Sequence, residues 1–164
     1  SLGAASAAVR AELLRRIAYF DEEKKQLDLA LAELAPAFLE VEALLPLRGV
    51  GLYTALLLVA EIGEPWRFAN GRQVGAYAGL TARVNQSGGH CYQGHVTRQG
   101  SGWLRWALVQ VAMKILPGDP ALQAFYTRVR KRSSAKIARV AVARKLAGIC
   151  WLRLMRWHRA PAAA

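Results

Sequence analysis

Serine, histidine and arginine within a glycine-rich stretch free of carboxylates are the groups in this chain best suited to chemistry on a phosphate. They lie between Gly79 and Arg105, GLTARVNQSGGHCYQGHVTRQGSGWLR, which holds six glycines, two of the three histidines and no Asp or Glu. Ser87, in Gln86-Ser87-Gly88-Gly89, is the candidate nucleophile. A serine in that role needs a backbone that allows close approach, which Gly88 and Gly89 supply. Its proton must be removed and the phosphate charge neutralised. His90 or His95 suits the first task. Arg83, Arg98 and Arg105 suit the second, because a guanidinium pairs bidentately with phosphate. Residue types alone leave a second reading open. Ser-Gly-Gly also makes an ordinary turn, and loop histidines are often simple polar groups.

Other chemistries fit less well. Two-metal phosphoryl transfer needs clustered carboxylates. Residues 65–164 contain one acid, Asp119, with Glu61 and Glu64 just before them. A zinc site from His90, Cys91 and His95 would need Cys150 or His158 from the far end of the chain, without any recognised ligand spacing. No Walker A or dinucleotide fingerprint occurs. No metal or cofactor is therefore assigned to this chain.

Charge is sharply divided. Residues 1–64 carry six Lys/Arg and ten Asp/Glu, whereas residues 65–164 carry seventeen and one. Such asymmetry points to a polyanionic partner for the second part. A membrane surface is the competing partner, but no single basic amphipathic anchor stands out. No apolar run is long enough to span a bilayer and no signal-peptide core is visible, so no membrane role is expected. Two distant cysteines form no disulfide framework, which suits a reducing cytoplasm.

These groups need a scaffold, and the patterning predicts a mainly α one. Residues 1–36 read as a long coiled-coil-like helix. Leu13, Ile17, Phe20, Lys24, Leu27, Leu31 and Leu34 follow heptad steps, with Lys24 as a polar break that can specify register. An ordinary amphipathic helix is the alternative. Residues 37–160 read as a compact helical domain, with the long Gly-rich polar loop at 79–105 and a short hairpin suggested within it. Residues 39–63 read as helix, tight turn, helix. Gly49 and Gly51 in the turn would let a phosphate approach the second helix, as in a helix-hairpin-helix. Gly102–Leu116 is apolar on nearly all sides, which predicts a buried helix. Asp119 and Pro120 open the next helix. Its end, with Arg128, Arg130, Lys131 and Arg132, forms a cationic edge. Lys136, Arg139, Arg144 and Lys145 continue the basic surface along the last helix.

In order, Gly49-Val50-Gly51, Thr54-Ala55, Glu61-Ile62-Gly63, Ala76-Tyr77-Ala78-Gly79-Leu80, Ser87-Gly88, Gly100 to Leu104-Arg105 and Ala141–Leu146 resemble the C-terminal domain of the IS-one-ten/Piv-type insertion-sequence transposases. The likeness covers roughly residues 44–157. Where that family has a proline, an asparagine and a second proline, this chain has Arg48, Ser101 and Ala82.

The resemblance implies a serine-dependent DNA transposase or recombinase. Ser87 would attack a DNA phosphodiester and form a phosphoserine link. The active site would be shared with an N-terminal RuvC-like acidic domain, where Mg²⁺ is expected. A coiled-coil linker would join the two and support homo-oligomers, and a structured guide RNA would be a further partner. This chain would then bind DNA without completing recombination alone, in a cytoplasmic, nucleoid-associated setting. The alternative is a non-catalytic helix-hairpin-helix module for nucleic-acid binding and dimerisation.

Overall fold

The structure, a computed structural model of the 164-residue chain, describes residues 2–87, 90–96 and 99–159. The chain is mainly helical and divides after Ala37 into two units. The first unit is dominated by α1 (Leu2–Leu34). Its Ala, Leu, Glu, Lys and Arg residues are strong helix formers. Exposed pairs such as Glu12–Arg16 and Lys24–Asp28 line it at i,i+4 spacing. The Arg15 and Arg16 guanidiniums hold the Glu12 carboxyl below its usual range. The heptad residues Leu13, Ile17, Phe20, Leu27 and Leu34 are 55–66% exposed in the single chain. Pro36 falls in a 3-10 turn, Ala35–Ala37, that ends the helix.

The second unit contains α2 (Leu52–Ile62), α3 (Gly71–Tyr77), the strands β1 (Ala82–Ser87) and β2 (His90–Val96), α4 (Gly102–Lys114), α5 (Pro120–Arg132) and α6 (Ala135–Arg159). Helix α6 is the central post. Its residues Ala138, Val142, Ala143, Leu146, Ala147, Cys150 and Leu154 are buried, a helical stripe of mostly small side chains. Helices α3, α4 and α5 pack on it, and α2 packs on α4. Gly71 meets Gly148 of α6 so closely that a Cβ at residue 71 would strike the Gly148 backbone. Leu58, Leu104, Leu108 and Leu146 fill the centre without exposure. Each fully buried leucine contributes about 1.5–3 kcal/mol.

Four of the helices open on side-chain caps. Asn70 Oδ1 accepts from the Arg72 and Gln73 N–H groups, Ser101 Oγ from Leu104, Asp119 Oδ1 from Leu122 and Ser134 Oγ from Ile137. These bonds satisfy N–H groups that have no partner within the helix. Helix α2 starts at Gly51 with no side-chain cap.

Two expectations change. The segment before the Gly49–Gly51 turn is not an α-helix but a 3-10 helix, Leu39–Ala43, so the helix-hairpin-helix lacks a full first arm. Pro46 and the glycines that follow leave too little uninterrupted sequence there for an α-helix. Helix α4 is not buried all round either. Trp103 and Trp106 are 64% and 45% exposed, and Trp106 meets Tyr53 of α2 edge to face. The other side of α4, with Leu104, Ala107, Leu108 and Val111, occupies the core.

Candidate functional site

The polar stretch between α3 and α4 forms an antiparallel two-stranded ribbon, β1 with β2. Its register pairs Ala82 with Val96, Val84 with Gln93, Asn85 with Tyr92, Gln86 with Cys91 and Ser87 with His90, with an irregularity between Ala82 and Val84. Ser87 and His90 thus form the last ladder pair, and only Gly88 and Gly89 stand between them in sequence. Arg83 falls on β1. Gly88 and Arg98 lie outside the described residues.

The foot of the ribbon is tied by both flanking helices. Helix α3 ends in a Schellman motif: the Leu80 N–H donates to Gly75 O, the Gly79 N–H donates to Ala76 O, and Gly79 takes φ +64°. On the return side, Gly100 takes φ +101°, and a Cβ there would collide with the Tyr77 carbonyl. The Ser101 N–H donates to Tyr77 O at 3.0 Å, and Arg105 Nη1 donates to Ala78 O at 3.2 Å. Ser101 Oγ also donates to Glu61 Oε2 at 2.6 Å. The sequence segments around Glu61, Ala76–Leu80 and Gly100–Arg105 therefore meet in one knot beneath the ribbon. Arg105 stands in that knot. Ser87 stands at the other end of β1, about 17 Å of strand beyond Ala82 at about 3.4 Å per residue.

The two turn glycines differ. Gly49 has φ +84° and lies against Lys114 of α4, where no side chain fits. Its role here is close packing. Gly51 has open space around it and precedes the uncapped α2 N-terminus.

The basic residues form a continuous sequence from the end of α5 into α6. Arg128, Arg130, Lys131, Arg132, Lys136, Arg139, Arg144 and Lys145 are exposed, and none has an ion pair among the described residues. Arg128 and Lys145 both lie over the Phe125 ring, at 5.7 and 4.1 Å from its centroid. Sequence reasoning missed Arg72, which joins Arg144 and Lys145 at one cleft. An isolated arginine at the start of a short helix gives no sequence signal for such a meeting.

Among the described residues no group of three or more His, Cys, Asp or Glu is arranged to hold a metal. Cys150 is fully buried in α6, and burial pushes its thiol up to about 12. It is not available as a thiolate ligand at neutral pH. No helix among the described residues is long and apolar enough to cross a membrane.

Residues 41–127 match the profile of the Transposase IS116/IS110/IS902 family. The chain belongs to that family. It is 29% identical over 120 residues to a Pseudomonas aeruginosa protein named "Probable family 20 transposase", covering 71% of this chain and 36% of that protein. It is likewise 29% identical over 111 residues to the "Insertion element IS110 uncharacterized 43.6 kDa protein" of Streptomyces coelicolor, covering 68% and 27%. The "Transposase for insertion sequence element IS1111A" of Coxiella burnetii is 29% identical over 149 residues, covering 88% and 40%. The chain spans about a quarter to two-fifths of the length of these relatives.

Proposed function

We propose that this chain is the serine-bearing C-terminal part of a DNA transposase, and that Ser87 is its nucleophile. The observation that carries the reading is the position of Ser87 at the closed end of β1, in register with His90, on a ribbon whose foot is tied by α3 and α4. A reacting group on a short tethered ribbon can reach a partner while its root stays fixed.

In the proposed step Ser87 Oγ bonds to a DNA phosphorus and loses its proton to a base. The bond from phosphorus to one sugar oxygen breaks, and that oxygen takes up a proton as a hydroxyl. The broken phosphodiester is conserved as a phosphoserine ester, which the same hydroxyl chemistry reverses in rejoining. His90 is the candidate proton acceptor, and Arg83 and Arg98 are candidates for the phosphate charge.

Among the described residues of this domain no group of three or more His, Cys, Asp or Glu is arranged to hold a Mg²⁺ ion. Asp119 is the sole acid of residues 65–164, and its carboxylate caps α5. Glu61 is bonded to Ser101. An acidic domain elsewhere in the full protein would supply the carboxylates, in a site shared with Ser87. Helix α1 would link the domains and bring copies together through its exposed heptad face. A structured RNA is the further partner of this reading.

The second reading is a non-catalytic nucleic-acid-binding module. The open Gly51 before the uncapped start of α2 favours it, while the short 3-10 first arm weighs against a full helix-hairpin-helix. Substitution of Ser87 separates the two. Ser87→Ala in the full protein abolishes strand transfer and leaves binding intact under the first reading, and changes neither under the second.

A further inference from the structure

The basic flank is not a plain convex surface throughout. Where α3 crosses α6, a cleft of about 780 Å³ is lined by Arg72 of α3, Arg144 and Lys145 of α6, Thr81 at the start of the ribbon, and an apolar wall of Trp151 and Leu152. Among the described residues the lining contains no carboxylate. Arg72, Arg144 and Lys145 have no ion pair among the described residues.

Close backbone packing shapes it. The Gly71–Gly148 crossing brings α3 onto α6, and the Arg144 stem lies 3.0 Å from where a Cβ on Gly75 would sit. Trp151 is fixed by its indole N–H, which donates to Pro65 O at 2.9 Å. Lys145 is steadied over Phe125. Lys145 and Trp151 are thus anchored at the cleft, and none of its three cations is ion-paired among the described residues.

We propose that this cleft takes one unpaired nucleotide of a nucleic-acid strand, its phosphate on Arg72, Arg144 and Lys145 and its base against Trp151 and Leu152. The volume is in the ~300–1,000 Å³ range of small-ligand clefts and exceeds what a phosphate alone requires. The apolar wall offers what a paired base inside a duplex cannot use, since its faces are already stacked. Thr81 adjoins Ala82, the first residue of β1, so a strand held here is held at the root of the ribbon that carries Ser87. The proposal rests on the nucleic-acid reading above and adds which strand state is captured and where.

The test is fluorescence anisotropy of this chain with short single-stranded DNA, single-stranded RNA and duplex DNA of one sequence, across about 50–200 mM salt. Arg72→Gln with Arg144→Gln keeps the stem of residue 144 beside Gly75 and removes two charges. Leu152→Asp alters the wall at a residue 42% exposed, so the fold tolerates it. The expected result is about tenfold weaker single-strand binding in the arginine double variant, with the salt slope smaller by about 1.4. Leu152→Asp weakens single-strand binding and leaves duplex binding within about twofold. The strand type that loses more identifies DNA or RNA as the occupant. Equal losses for single strand and duplex, or no loss in either variant, overturn the proposal. In that case the triple change Arg130→Gln, Lys131→Gln, Arg132→Gln still weakens all binding if the nucleic-acid reading is right. A wild-type chain that binds none of the three nucleic acids overturns both.

Discussion

Ser101 Oγ donates a hydrogen bond to Glu61 Oε2 at 2.6 Å while accepting one from the Leu104 N–H. One hydroxyl therefore caps α4, ties it to the end of α2 and fixes the point where the ribbon returns to the helical body. The resembling family has asparagine at this position, another strong cap. Ser101→Ala is expected to cost about 1–2 kcal/mol in urea unfolding, and Ser101→Asn much less. Equal losses for the two would refute the capping role.

Gly100 tests the same knot from the backbone. A Cβ there meets the Tyr77 carbonyl and must also accept φ +101°. Gly100→Ala should destabilise the domain by about 2 kcal/mol or more, since a backbone carbonyl cannot swing aside. Gly51→Ala, in open space, should cost less than about 1 kcal/mol. Chemical denaturation of the two variants side by side gives the comparison.

Much of this architecture was legible from sequence, for local reasons. Asp119-Pro120 announced α5, because caps depend on neighbouring residues. The Gly49 turn was legible but its purpose was not, since Lys114, which lies against it, is far away in sequence. The apolar pattern of Gly102–Leu116 does not reveal that Trp103 and Trp106 face outward. Hydrophobicity says a side chain prefers burial, and only the tertiary fold says which face of α4 finds a neighbour. The Glu61–Ser101 bond and the Arg72–Arg144 cleft join residues distant in the chain, so neither left a local pattern.

Helix α1 exposes Leu13, Ile17, Phe20, Leu27 and Leu34 in the single chain, and self-association through them is expected. Sedimentation of the chain should show an oligomer, and Leu27→Asp should shift it to monomer, because a charge at a seam position is left without solvent in the paired state. An unchanged sedimentation coefficient would reduce α1 to a simple spacer.

Cys150 gives a pH prediction. Its folded thiol is raised from 9.0 to about 12 by burial, so the folded state holds the proton more tightly than the unfolded chain. This contribution to stability is fully present below pH 9 and is lost as pH rises toward about 12. A thiol reagent at neutral pH should label Cys150 only as fast as the domain opens. Fast labelling of Cys150, identified by peptide mapping, in the fully folded chain would contradict its burial.

The central claim is the nucleophilic serine, and covalent trapping tests it most directly. The full-length parent protein is incubated with Mg²⁺, its flanking RNA and labelled donor DNA, then denatured, digested and searched for a DNA-linked or phosphorylated Ser87 peptide. The account predicts that adduct in the wild type and its loss in Ser87→Ala, with DNA binding unchanged. No Ser87 adduct in the wild type, with undiminished recombination in Ser87→Ala, would contradict it and leave this chain a binding and assembly module.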